Sequence, residues 1–77
     1  MVTAFVWGDG PAPELDRFQP VPASDPPYWG LNTNEYLAWW EAAREPWGCY
    51  IDLSTRGDEQ DLQRTCDALG LNVVYSD

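Results

Sequence analysis

Six of the seven prolines in this 77-residue chain fall between Pro11 and Leu31. Proline fixes φ and gives up its backbone donor, so this stretch suits neither a helix interior nor a central strand. Regular structure is confined to the residues on either side. A connection this long inside a small domain is ordinarily functional or disordered. Phe18, Val21, Tyr28, Trp29 and Leu31 favour an ordered wrap anchored on the core, loosest near Pro20 to Asp25. Pro13 suits the first position of a short helical turn reaching Phe18.

The flanks carry clear periodicities. Val2 to Trp7 is β-branched and aromatic and stops at Gly8-Asp9-Gly10, which predicts a strand and a turn. Asn32 and Glu35 have the spacing of a capping box at the start of a helix. Tyr36, Leu37, Trp40 and Ala43 then recur at helical spacing, with Trp39 widening the face and Pro46 ending the helix by Glu45. Gly48 to Leu53 alternates as a strand, Ser54 to Gly57 turns, and Asp58 is placed to cap a second helix. Leu62, Thr65, Cys66 and Leu69 form its apolar face, and Gly70 with Leu71 marks its end. Asn72 to Tyr75 is a last strand.

These elements predict an α+β fold in one domain spanning residues 1–77. The order is strand, proline-rich loop (residues 11–31), helix, strand, helix, strand. The sheet has three strands, and the last strand–helix–strand forms a right-handed βαβ unit. Both helices are expected on one face, with the wrap protecting part of the other.

Thirteen carboxylates face four arginines, with no lysine or histidine, for a net charge of -9. A surface of this sign is repelled by phosphate backbones and anionic lipid, so neither nucleic acid nor membrane is an expected direct partner. Basic proteins are favoured, and opposite charge speeds the encounter. The plainer alternative is that acidity only keeps the chain soluble. No apolar run approaches the roughly 20 residues a membrane span needs, and no charged leader precedes one, which predicts a cytoplasmic protein.

Catalysis has little to work with. Histidine, the usual activating base, is absent, so Cys49, Cys66 and Ser54 lack a partner for nucleophilic chemistry. Cys49 and Cys66 have no zinc-ligand spacing. Two reduced thiols in one sheet–helix interface are favoured over a disulfide. Asp58, Glu59 and Asp61 lack the alternating ligands and mid-loop glycine of a calcium loop and suit the first turn of a helix instead. No metal and no cofactor are expected. Ser54 to Gly57 lies where α/β folds bind anions, but the carboxylates that follow would repel one.

Candidate binding residues fall in two groups. Trp29 and Trp47 lie beside Gly30 and Gly48 in expected loops, and Trp39 stands about 100° round the helix from Trp40. Exposed tryptophans of this kind are typical interface anchors, although tryptophan also serves as core filler in a domain with few aliphatics. Asp58, Glu59, Asp61 and Asp67 supply the acidic group on the second helix. The reading these support is a non-enzymatic acidic module that docks on a basic protein. Its most specific version inhibits a nucleic-acid-handling enzyme or complex, with carboxylates standing in for phosphates. Size and charge, rather than any sequence motif, resemble those of phage anti-defence proteins such as anti-CRISPR proteins, and of immunity proteins that block nuclease toxins. The alternative is a small structural subunit of a virion or multiprotein complex, held through its aromatic and proline-rich segments.

Overall fold

A computed structural model describes residues 2–27, 29 and 33–76. Val2–Asp9 forms β1, a single 3-10 turn follows at Asp16–Phe18, and Val21–Pro22 forms a two-residue strand, β2. Thr33–Ala42 is helix α1, Pro46–Leu53 is β3, Arg56–Leu69 is α2 and Asn72–Ser76 is β4. The sheet order is β2-β3-β1-β4, with every neighbouring pair antiparallel. The α+β class with two helices matches the sequence expectation. The strand count does not: the proline-rich wrap supplies a fourth strand. Val21 pairs with Tyr50 and Pro22 with Cys49, and the Ala23 N–H donates to the Gly48 carbonyl at 3.0 Å. Proline is tolerated there because β2 is an edge.

The strands of the expected βαβ unit are parallel as expected, with one strand inserted between them. Both β3 and β4 run antiparallel to β1, hence parallel to each other, but β1 lies between them. The physical reason is in β1 itself. Ala4, Phe5 and Val6 are consecutive and fully buried, so this strand has apolar side chains on both faces and gains most from the central position.

That two-sided burial also separates the helices. Ala4, Val6, Cys49, Ile51 and Leu53 point to one face and pack against Leu62 and Cys66 of α2 and Leu15 of the wrap. Phe5, Trp7 and Tyr50 point to the other and meet Tyr36 of α1 and, at its edge, Trp29. One helix therefore covers each face, rather than both covering one. Within α1 the buried residue is Tyr36, whereas Leu37 is 45% exposed, so the inward row runs through Tyr36, Trp39, Trp40 and Ala43. The expected capping residue Asn32 and the wrap anchors Tyr28 and Leu31 lie outside the described residues. Leu15 and Pro27 are the buried residues of the wrap among those described, and Val21 is 61% exposed.

Local details fix the register. β3 begins at Pro46, not Gly48, which places Trp47 and Gly48 inside the strand opposite Gly8 and Trp7. A Cβ on Gly8 would stand 2.8 Å from the Trp47 ring, and one on Gly48 2.8 Å from the Phe5 ring. Each glycine leaves room for an aromatic ring laid across the strand. Asp9 accepts from the N–H groups of Glu45 (2.7 Å) and Arg44 (3.3 Å), fastening the chain between α1 and β3. These bonds, the Glu45 one foremost, hold its carboxyl below the usual aspartate range.

Helix α2 is capped at both ends. Thr55, in extended conformation, is the N-cap: its hydroxyl accepts from the Asp58 N–H at 3.1 Å, and the Asp58 carboxylate accepts from the Thr55 N–H at 3.2 Å. Asp58 thus occupies the third position of a capping box rather than the cap itself. At the other end Gly70 takes a left-handed φ of 70°, and the Leu71 N–H reaches the Cys66 carbonyl at 2.8 Å, as the Gly-Leu pair predicts. Among the described residues, no helix is long and apolar enough to cross a membrane.

Candidate interaction surface

The four carboxylates singled out on α2 divide by what the fold asks of them. Asp58 is committed to the capping box. Asp61 receives Arg17 of the wrap at 2.9 Å, and the same guanidinium donates to the Thr65 hydroxyl at 2.7 Å and lies 4.5 Å from the centre of the Phe18 ring. This contact ties the wrap onto α2, so Asp61 serves the intramolecular fold. Glu59 and Asp67 remain. They stand on one row with Gln63, at i, i+4 and i+8, alongside β4.

Tyr75 marks the middle of that row. Its hydroxyl donates to Gln63 Oε1 at 2.9 Å, and Gln63 Nε2 donates to Asp67 Oδ1 at 3.0 Å. Burial, with smaller contributions from Cys66, Glu59 and Asp67, pushes the Tyr75 phenol up. A shallow depression of about 220 Å³ lies here, lined by Arg56, Glu59, Gln60, Gln63 and Tyr75. Arg17, Gln63 and Tyr75 were not singled out in the sequence. The i+4 spacing of Glu59, Gln63 and Asp67 was the available signal.

The three candidate tryptophans do not converge. Trp29 packs against Tyr50 at 5.9 Å and Trp39 against Tyr36 at 5.9 Å, both on the α1 face, and both half-buried. Trp47 lies on the α2 face, in a strand and not in a loop, packed on the core beside Gly8. Its indole N–H is buried without an acceptor among the described residues. Trp47 also walls an apolar groove of about 200 Å³ with Ala12, Pro13, Leu15, Pro20 and Pro22. The structure therefore splits the aromatic candidates between faces and sets the acidic row apart from both groups.

Cys49 and Cys66 are free and buried in one core cluster, on the strand and helix expected. Burial, then Asp67 and Cys49, pushes the Cys66 thiol up to about 11, and burial raises Cys49. Thiols held protonated are poor nucleophiles. Among the described residues no three histidine, cysteine or carboxylate side chains gather in a way that could hold a metal ion. The start of α2, the position at which α/β folds bind anions, has Thr55 and Asp58 occupying each other's N–H groups. Compared with protein-family models, curated proteins and solved structures, the chain matches none of them.

Proposed function

We propose that this chain is a non-enzymatic acidic binding module that docks on a basic protein surface. In its most specific form it occludes the nucleic-acid site of a nucleic-acid-handling protein, as an inhibitor would. The observation that carries this reading is the charge left over after folding. Against a net charge of -9, the described residues contain one ion pair, Arg17 with Asp61. Glu14 and Asp16 on the wrap, Glu41 on α1 and Glu59 on α2 make no side-chain hydrogen bond or ion pair among the described residues. Their repulsion in the free chain is relieved when a cationic surface covers them.

The test is competition. A basic partner captured on the immobilised chain is purified and offered the chain and duplex nucleic acid together. Mutually exclusive binding supports occlusion, and simultaneous binding of both contradicts it. The second reading, a structural subunit of an assembly, draws support from the proline-walled groove and the Trp47 N–H, which has no acceptor among the described residues. It predicts association that survives high salt, because apolar contacts are not screened.

A further inference from the structure

The sheet has two edges of different character. On one side β2 is two residues long and contains Pro22, which removes a donor and shortens the available ladder. On the other side β4 presents five residues, Asn72–Ser76, paired on their inner side with β1 and, among the described residues, with no strand on their outer side. Edge strands are ordinarily blunted by proline, lysine, a bulge or a cover, because unpaired N–H and C=O groups invite another strand. β4 contains no proline and no charged residue.

Register determines what an added strand would meet. Val73 and Tyr75 oppose Val6 and Ala4 and so share the α2 face, while Asn72, Val74 and Ser76 share the other. Beside Tyr75 on the α2 face run Glu59, Gln63 and Asp67, the last two linked to it through the Tyr75–Gln63–Asp67 hydrogen bonds. Arg56 lies one turn before Glu59 and lines the same depression, so the acidic stretch extends from Glu59 toward Asp67.

Resting on the acidic-docking reading, we propose that β4 is the docking edge for an extended basic segment of the partner, which adds as a fifth strand. Main-chain hydrogen bonds to β4 supply the affinity. Lysine or arginine at alternate positions of that segment reaches Glu59 and Asp67 on the α2 face. Charge selects this occupant over a second copy of the chain, since pairing β4 with its own copy would bring two acidic rows, on bodies each at -9, toward one another.

The probe is a synthetic ten-residue peptide alternating lysine and threonine. Its control is the same peptide N-methylated at alternate backbone amides, which keeps the charge and blocks one hydrogen-bonding edge. Expected results are slowed amide exchange within residues 72–76 on adding the first peptide and about 30-fold weaker binding of the methylated one. Replacing Glu59→Gln with Asp67→Asn should weaken binding roughly fivefold and flatten its salt dependence. Equal, salt-sensitive binding of both peptides with unchanged exchange at 72–76 overturns the edge assignment while leaving acidic docking standing. No binding of either peptide at low ionic strength overturns the edge assignment, and acidic docking is then decided by the competition experiment. A concentration-dependent dimer with the same protected amides assigns the edge to a second copy instead.

Discussion

On the α2 side of the sheet the core is Ala4, Val6, Cys49, Ile51 and Leu53 against Leu62 and Cys66. On the α1 side it is Phe5, Trp7 and Tyr50 against Tyr36, Trp39 and Trp40. Small aliphatic side chains let α2 bring its backbone close to β3 and β4, whereas rings hold α1 farther off. The α2 side is capped at both helix ends and fastened to the wrap by Arg17. The α1 side depends on ring contacts at 5–6 Å and encloses a Tyr36 hydroxyl with no partner among the described residues. A chain of 77 residues buries only about 60% of the surface it exposes when unfolded. Here one face meets that shortage with close packing and the other with the sheer area of aromatic rings. The closely packed side also carries the row of Glu59, Gln63 and Asp67.

Leu62 and Trp40 set the contrast most sharply. Leu62→Ala empties a fully buried site and should cost about 3 kcal/mol in urea unfolding. Trp40 is half-buried and touches Tyr36 and Trp39, so Trp40→Ala should cost about 1–2 kcal/mol, near the value of its ring pairs. Equal losses would erase the distinction between the faces. The glycines come next. Gly48→Ala drives a methyl into the Phe5 ring and Gly8→Ala into the Trp47 ring, each expected to destabilise by about 2 kcal/mol. A milder effect at Gly48 would show that the ring-packed face yields more readily.

Tyr36 offers a substitution of opposite sign. Removing its hydroxyl, which has no partner among the described residues, in Tyr36→Phe should stabilise the fold by about 1 kcal/mol. Alkaline titration separates the faces further. Burial raises Cys66 from 9.0 to about 11 and Tyr36 from 10.0 to about 12, so the folded chain holds protons that the unfolded chain has released. Stability is therefore fully present below pH 9 and declines as pH rises through 11 and 12. Cys66→Ala should remove the earlier part of that decline and Tyr36→Phe the later part, measured as unfolding midpoints against pH. A flat alkaline profile would contradict the burial of both groups. The smallest effect belongs to the exposed ion pair: Asp61→Asn should lower stability by less than about 1 kcal/mol.

Much of this was legible in the sequence because it is local. The strand at Val2, the helices, the Gly70 cap and the shared interface of Cys49 and Cys66 follow from periodicity and capping chemistry. What escaped was non-local. Insertion of β1 between β3 and β4 depends on pairing between residues far apart in the chain, from Asp9 with Pro46 to Thr3 with Ser76, and no spacing along the chain encodes it. Pro46 and Gly48 argued for a loop around Trp47. The ring lying over Gly8 is what makes a strand acceptable there. Thr55 displaced Asp58 as the cap because both residues satisfy the cap preference and only backbone geometry distinguishes them. Of the proposed acidic group, Asp58 and Asp61 were absorbed by the fold, which sequence counts of charge cannot reveal.

Salt dependence of association tests the central claim most directly. The rate at which the captured basic partner binds the chain is measured by stopped flow across a range of ionic strength. Docking through unpaired carboxylates predicts a rate that falls roughly tenfold or more between low and high salt, with the dissociation rate changing far less. An association rate that is unchanged across that range would contradict it, and would place the contact on the aromatic and proline-walled surfaces instead.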